Sequence, residues 1–491
     1  MKSYDYKFDF RDKRNLSLVM DFYELTMSQC YFNRDKEEEV VFDMFYRRNP
    51  NGGGYSICAG LEEVIGYIQN LHFEEEDIDY LRSLNKFSEE FLDYLRHFYF
   101  TGDLYAVPEG TPVFPYEPLI RVKAKIIDAQ LLETAMLLCM NHQTLIATKA
   151  RRIVQAADGR TIMEFGARRA HNFDAADFGA RAAYIGGVAG TATTYAGKEY
   201  GIPALGTMAH SFIQSFDTEY EAFLHYATTY PDSCTVLLDT YNTLKSGLPN
   251  AIRVAKEYLE PNGYRLQGVR IDSGDIAYLS KKIRKQLDEA GMQDCSIVVS
   301  NSLDEYLIES LLSQGAQIDS MGVGENLVTS KSSPVFGGVY KLSAVCRGEE
   351  IIPKIKVSEN IEKVTNPGMK NLYRIYDKES KKALGDIMTL HDEVIDPAED
   401  LTIYHQMNSW KNKTIPGGSY ELRDLLVPIF VNGSLVYDCP SLQQIREYSE
   451  AELDTLWDEI KRFTYPQTYY VDLSKKLLDL KLKMLEDVNR Q

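Results

Sequence analysis

The sequence predicts an α/β protein built on an irregular (β/α)8-like barrel, and three observations predict it. From about Arg160 to Gly324, short apolar runs alternate with segments of helical periodicity, the pattern of a parallel sheet. From His210 onward the ends of consecutive runs fall roughly twenty to thirty-five residues apart. Nearly every run ends in glycine or polar residues, and in a parallel barrel those ends converge on one face, where ligands bind. A doubly wound sheet is the runner-up, because sequence does not display closure.

Taken in order, residues 1–125 mix helix and strand as an N-terminal α+β domain. Ser17 to Tyr31 reads as a helix, VVFDMFYR as a strand, Asn49 to Gly54 as a turn and Leu61 to Asn70 as a second helix. Between Glu74 and Tyr99, apolar residues at spacings of three and four predict two short amphipathic helices. The barrel is assigned to 126–340, with the runs TIMEFGA, AAYIGGVAG, PALGTMA, CTVLLDT, LQGVRIDS, CSIVVSN and AQIDSMGVG. SPVFGGVYKL is the candidate eighth. Helices are expected over Phe212 to Thr229, Tyr241 to Leu259, Ile276 to Ala290 and Leu303 to Gln314. Residues 341–400 are basic and strand-rich and able to return to the N-terminal domain. Residues 401–491 form a mainly helical extension, with two charged amphipathic helices between Ser441 and Asp487.

Composition narrows the function. The 491 residues carry 54 Lys+Arg against 72 Asp+Glu, a net charge of −18, which argues against a nucleic-acid or anionic-membrane partner and leaves room for one local basic pocket. The seven cysteines are scattered with no CxxC pair, which fits a reducing cytoplasm. The opening MKSYDYKFDFRDKR has no apolar stretch for a signal peptide, and no run approaches the length of a membrane span. Walker A, a complete GxGxxG and HExxH are all absent, so any ATP is held without a P-loop and no histidine metal site follows from spacing. Mg²⁺ stays available, needing only one or two carboxylates and substrate phosphates.

Strand-end residues are the candidates for chemistry. His210 in GTMAHSF follows a strand and precedes a helix; it is either a helix-entry residue bonded to backbone or a base or nucleophile in the crevice, and its position favours the second. Of Arg168 and Arg169 in FGARRA, one serves as a wall salt bridge and the other, Arg168, as a fork for carboxylate or phosphate. Arg270 and Asp272 lie two apart on a strand and share a face, as a structural ion pair or as a cation and carboxylate for the substrate. Thr191, at the end of its run, is counted with the substrate-binding residues. The glycines of GVGEN and VFGGVYK suit backbone approach to a phosphate. Together these favour a phosphorylated sugar ligand. Tyr23 reads first as a core aromatic, and Arg47 with Gly52 to Gly54 as a solvated hairpin.

The combination DFYELTM, FYRRNPNGGGYSICAGL, FGARRA, GTMAHSF, VRIDSGD, SMGVGENL and KVTNPGMKNLYR, in that order, resembles the nicotinate phosphoribosyltransferase family of the longer bacterial type. The resemblance implies the irregular barrel of the type II phosphoribosyltransferases packed on a split N-terminal domain, in a homodimer with active sites near the subunit interface. It implies transfer of 5-phosphoribosyl from phosphoribosyl pyrophosphate to nicotinate, giving nicotinate mononucleotide and pyrophosphate, with Mg²⁺ as cofactor and ATP as co-substrate. By the same resemblance His210 is the histidine phosphorylated by ATP, Asp272 stands near the ribose, and Arg270 faces the nicotinate carboxylate. Phe165 and Tyr23, the latter from the other subunit, sandwich the pyridine ring. Arg168, Gly322, Gly324, Gly337 and Gly338 surround the 5-phosphate, and Arg47 and Lys356 the pyrophosphate end. In nicotinamide-using relatives an aspartate follows the GT of a strand-end motif; here GTAT places Ala192 there, which suits an anionic substrate. Metal ligands are not assigned, and Ser300, Asn301 and Asp239 are left without roles. The alternatives are a nicotinamide- or quinolinate-using relative on the same barrel and a non-catalytic phosphosugar-binding barrel.

Overall fold

A computed structural model of the chain describes residues 15–408 and 410–489; the stretch MKSYDYKFDFRDKR, expected to hold no leader, lies outside them. The chain divides into two compact units. One comprises the described residues up to Leu145 and from Val335 onward, the other Ile146–Pro334. The first boundary lies twenty residues beyond the expected one, inside the helix Glu133–Ala156, because a continuous helix carries no breaker to mark a change of unit. Among the described residues no helix is long and apolar enough to cross a membrane, and no disulfide joins the seven cysteines.

The unit Ile146–Pro334 holds six parallel strands in the spatial order Gly190–Thr191, Thr161–Glu164, Ser320–Val323, Ser296–Val299, Gly268–Ile271 and Thr235–Leu237. The first strand in the chain pairs with the last, from Thr161↔Ser320 to Glu164↔Val323. A doubly wound sheet keeps those two apart, so this pairing is the closure of a barrel. Two of the expected eight strands are missing from it. PALGTMA contributes a single bridge, Ala204 to Thr191, because Pro203 has no N–H for a ladder. SPVFGGVYKL leaves the barrel altogether: the strand Val339–Arg347 pairs antiparallel with Glu39–Phe45, where Tyr340 stacks on Phe42 at 4.6 Å.

Helices follow the strands on the chain, as the periodicity predicts. The segment expected as one helix over Phe212 to Thr229 is two, His210–Gln214 and Glu219–Thr229, because Thr218 and Glu221 form a capping box that starts the second. In VRIDSGD the second aspartate is structural. Asp275 accepts from the Tyr278 N–H at 2.9 Å and caps the helix Ile276–Glu289. That leaves Asp272 for the strand end.

The other unit contains two sheets. An antiparallel sheet of seven strands runs Glu350–Pro353, Val339–Arg347, Glu39–Phe45, Ile120–Lys125, Asp103–Ala106, Val427–Val431 and Ser434–Leu435. A six-stranded sheet runs Asn412–Ile415, Leu401–His405, Val471–Leu473, Ala383–Leu390, Lys370–Asp377 and Tyr420–Asp424. The extension expected to be mainly helical over 401–491 thus supplies six strands beside its two helices, Leu442–Asp454 and Lys475–Asn489. Its strands are short and alternate weakly, and they gain their apolar cluster of Ile403, Ile415 and Tyr420 only against Ile375 and Ile387 from the preceding hairpin. Arg374, from KVTNPGMKNLYR, is fully buried here, donating to both Asp386 oxygens at 2.9 and 2.8 Å and to Pro112 O at 2.8 Å.

Candidate active site

The C-terminal ends of the barrel strands surround a cavity of about 550 Å³, whose wall includes Phe165, Arg168, Ala192, Arg270, Asp272, Ser300, Gly322 and Gly324. Because Arg270 and Asp272 are two apart at the end of Gly268–Ile271, their side chains leave the sheet on one side. They do not form a tight pair: Arg270 Nη2 stands 3.5 Å from Asp272 Oδ1. Arg270 is instead held by its neighbours, donating from Nε to Ser300 Oγ at 2.9 Å and from Nη1 to Thr207 Oγ1 at 3.1 Å.

His210 opens its short helix at the same end of the barrel. Its Nδ1 is 3.1 Å from Thr240 Oγ1 and its Nε2 is 3.9 Å from Asp272 Oδ2, with the side chain 41% exposed. Asp239 braces this group from the adjacent strand. Its Oδ2 accepts from the Asp272 N–H at 3.0 Å and from the Ser273 hydroxyl at 2.5 Å, while its Oδ1 is buried with no hydrogen-bond partner among the described residues.

Phe165 lies against the closure of the barrel, donating its N–H to Val323 O at 2.8 Å. A Cβ at Gly322 would sit 2.3 Å from Phe165 Cδ2, so glycine is the residue that admits the ring. The Arg270 guanidinium is 5.7 Å from the centre of that ring, within cation–π reach. Arg168 and Arg169 both reach the wall, and Arg169 Nη1 is 3.7 Å from Glu325 Oε2. Thr191 differs from expectation. It is fully buried and off the cavity wall, its hydroxyl donating to Glu164 Oε2 at 2.6 Å, because a buried carboxylate between the two strands captures it. Glu164 also accepts from the Gly166 N–H, and burial raises its pKa against these hydrogen bonds.

Tyr23, Arg47, Gly337, Gly338 and Lys356 belong to the other unit. There Tyr23 is 43% exposed near the start of the helix Phe22–Asp35, and burial together with a hydrogen bond to Glu133 raises its phenol pKa. Arg47 Nε donates to Glu362 O at 3.1 Å. The Gly338 N–H donates to Asn141 Oδ1 at 3.0 Å. Arg47 and Lys356 both act on Lys341, whose ammonium burial already holds below its usual pKa. Lys341 completes a cationic group of which the sequence reading named only two members.

Comparison with known proteins places the chain in a family. Three family profiles match in order: the nicotinate phosphoribosyltransferase N-terminal domain over residues 18–141, the nicotinate phosphoribosyltransferase family over 160–385, and the C-terminal domain over 369–481. The chain belongs to the nicotinate phosphoribosyltransferase family. It is 44% identical to a nicotinate phosphoribosyltransferase of Bacillus subtilis over 98% of this chain and 97% of that one. A Mycobacterium tuberculosis nicotinate phosphoribosyltransferase is 39% identical, covering 92% of this chain and 90% of its own. The crystal structure of the human nicotinic acid phosphoribosyltransferase superposes with a TM-score of 0.84 at 28% identity, over 95% of this chain and 99% of that one. The barrel is that of the type II phosphoribosyltransferases, and the enzyme catalyses the first step of NAD salvage from nicotinate.

Three residues that brace the strand ends around the cavity were given no role by the sequence. Ser300 had no role there, yet it joins Arg270 to Asp272 by donating to Asp272 Oδ1 at 2.5 Å. Asp239 was placed at the barrel mouth, and its contact to the Asp272 backbone crosses thirty-three positions of chain. Glu164 sits in a run read as apolar. A lone acid inside TIMEFGA was the one signal that would have found it.

Proposed function

We propose that the phosphoribosyl transfer of this enzyme takes place in the cavity at the barrel's strand ends, with Arg270, Asp272 and His210 as its working groups. The observation that carries this reading is the position of Asp272, 3.5 Å from Arg270 and 3.9 Å from His210 on the cavity's side of the strands. Breaking the bond from ribose C1′ to pyrophosphate develops positive charge on the sugar, and the Asp272 carboxylate stabilises it. The nicotinate ring nitrogen then forms the new bond to C1′ and pyrophosphate departs. Arg270 pairs with the nicotinate carboxylate, Phe165 supplies an apolar ring face, and Ala192 withholds the carboxylate that would repel an acid.

ATP coupling proceeds through His210. Thr240 engages Nδ1 at 3.1 Å, so Nε2 is the nitrogen turned toward Asp272 and available for a phosphoryl group. Mg²⁺ fits the donor set only as a partner of substrate phosphates. Among the described residues no group of three ligating side chains exists, but Asp239 has an orphaned buried oxygen and Asp272 adjoins it. Those two residues would hold the ion, which when bound offsets charge on the leaving pyrophosphate. Arg168, Gly322 and Gly324 take the 5-phosphate. The family likeness further assigns Tyr23, contributed by the other subunit, to the pyridine ring, Gly337 and Gly338 to the 5-phosphate, and Arg47 and Lys356 to the pyrophosphate. The working form is a cytoplasmic homodimer.

Supplying nicotinate, nicotinamide and quinolinate separately with phosphoribosyl pyrophosphate and ATP tests the reading. Pyrophosphate release with nicotinate, at least tenfold faster than with the others, is expected. Preference for nicotinamide overturns the role of Ala192, and ligand binding without pyrophosphate release replaces the enzyme by a phosphosugar sensor.

A further inference from the structure

We infer that Ser300 is a positioning residue that sets the acid-over-amide preference of this site by keeping Arg270 and Asp272 from closing on each other. The inference deepens the reading in which Arg270 meets the nicotinate carboxylate, and it rests on that reading.

The hydrogen-bond polarity at Ser300 is forced. Arg270 has donors only, so at 2.9 Å from Arg270 Nε the serine oxygen accepts. Its single proton is then committed to Asp272 Oδ1 at 2.5 Å. Ser300 is 4% exposed, so water does not substitute for either partner without a change in packing. One hydroxyl therefore occupies Nε on the cation and Oδ1 on the anion at once. Those are two of the atoms that an arginine and an aspartate use when they dock edge to edge as a bidentate pair.

The remaining contacts show what this wedge preserves. Arg270 Nη1 is committed to Thr207 Oγ1 at 3.1 Å, with Met208 O at 3.4 Å. Among the described residues Nη2 has no partner nearer than Asp272 Oδ1 at 3.5 Å, and the guanidinium lines the cavity. Asp272 keeps Oδ2 toward His210 at 3.9 Å. Removing the hydroxyl leaves Nε and Oδ1 unsatisfied in a poorly hydrated place, and the cheapest remedy is for the two side chains to satisfy each other. That closure turns the guanidinium edge from an incoming carboxylate to one already in the protein. A neutral carboxamide loses much less by this, because it never drew on the full charge of Arg270.

The experiment measures kcat and KM for nicotinate and nicotinamide in wild type, Ser300→Ala, Ser300→Thr and Arg270→Ala, with melting temperatures alongside. In Ser300→Ala we expect KM for nicotinate to rise at least tenfold, kcat to fall less than threefold, and the nicotinate-to-nicotinamide ratio of kcat/KM to drop at least tenfold. Ser300→Thr, which keeps the hydroxyl, restores that ratio to within threefold. Ser300→Cys, close in size but a poor hydrogen-bonding partner, repeats the alanine result should the alanine variant fail to fold. A selective loss for nicotinate in Arg270→Ala with an unchanged ratio in the Ser300 variants overturns the Ser300 inference alone. Equal losses for both substrates in Arg270→Ala overturn the carboxylate reading and this inference with it.

Discussion

His210 Nε2 stands 3.9 Å from Asp272 Oδ2 although the two residues are 62 positions apart in the chain. Under the proposed roles, the group that carries phosphate and the group that stabilises the sugar cation thus stand at the same end of the barrel strands. Charge on the first is felt by the second across a partly solvated gap. In the proposed mechanism this proximity is the route by which phosphorylation at His210 alters the transfer step.

His210→Ala is expected to remove that route and keep the rest. Initial rates with and without ATP should become equal, while slow ATP-independent transfer persists at a level within about tenfold of the unstimulated wild type, since orientation and electrostatics survive. Full ATP stimulation in the variant refutes the assignment.

Gly322→Ala should displace Phe165, because the added Cβ would fall 2.3 Å from Cδ2 of its ring. Overpacking of this kind costs about 1–3 kcal/mol, and the ring forms part of the cavity wall. We expect KM for nicotinate to rise by roughly five- to hundredfold on that scale, read from saturation curves. An unchanged KM places the ring away from the substrate.

Arg374→Ala should destabilise the unit that carries it by about 3–5 kcal/mol, the cost of stranding a buried carboxylate partner. Asp386 loses all three of its guanidinium hydrogen bonds, and Pro112 O loses its donor. Urea titration followed by circular dichroism checks this. A change below about 1 kcal/mol indicates that the site repacks without penalty.

Glu24 provides a pH test. Burial raises its carboxyl to about 7, and among the described residues Oε2 has no hydrogen-bond partner. The folded state therefore holds a proton that the unfolded chain, titrating near 4.5, has released, so this group's contribution to stability is complete below about 4.5 and is lost as pH rises to about 7. Glu24→Gln removes that loss. The melting-temperature advantage of the variant over wild type should widen between those limits and stay level above them; a gap independent of pH refutes the assignment.

Much of this protein was legible in its residue order. Short apolar runs and the 3.6 period between them revealed strand and helix in the barrel, and the polar residues closing the runs pointed to Arg168, His210, Arg270 and Asp272 as candidates before any contact was known. Charge balance argued against polyanionic partners on the same footing, since it sums over residues without regard to their positions. Tertiary structure alone decided which carboxylate of VRIDSGD caps a helix and which faces the cavity, and that Thr191 is captured by Glu164. It alone gave Ser300 its two partners and sent Val339–Arg347 out of the barrel to Glu39–Phe45. The physical reason is common to all four. Local periodicity is a property of neighbours in the chain, whereas a hydrogen bond or a strand pair is settled by competition among groups that only folding brings within reach.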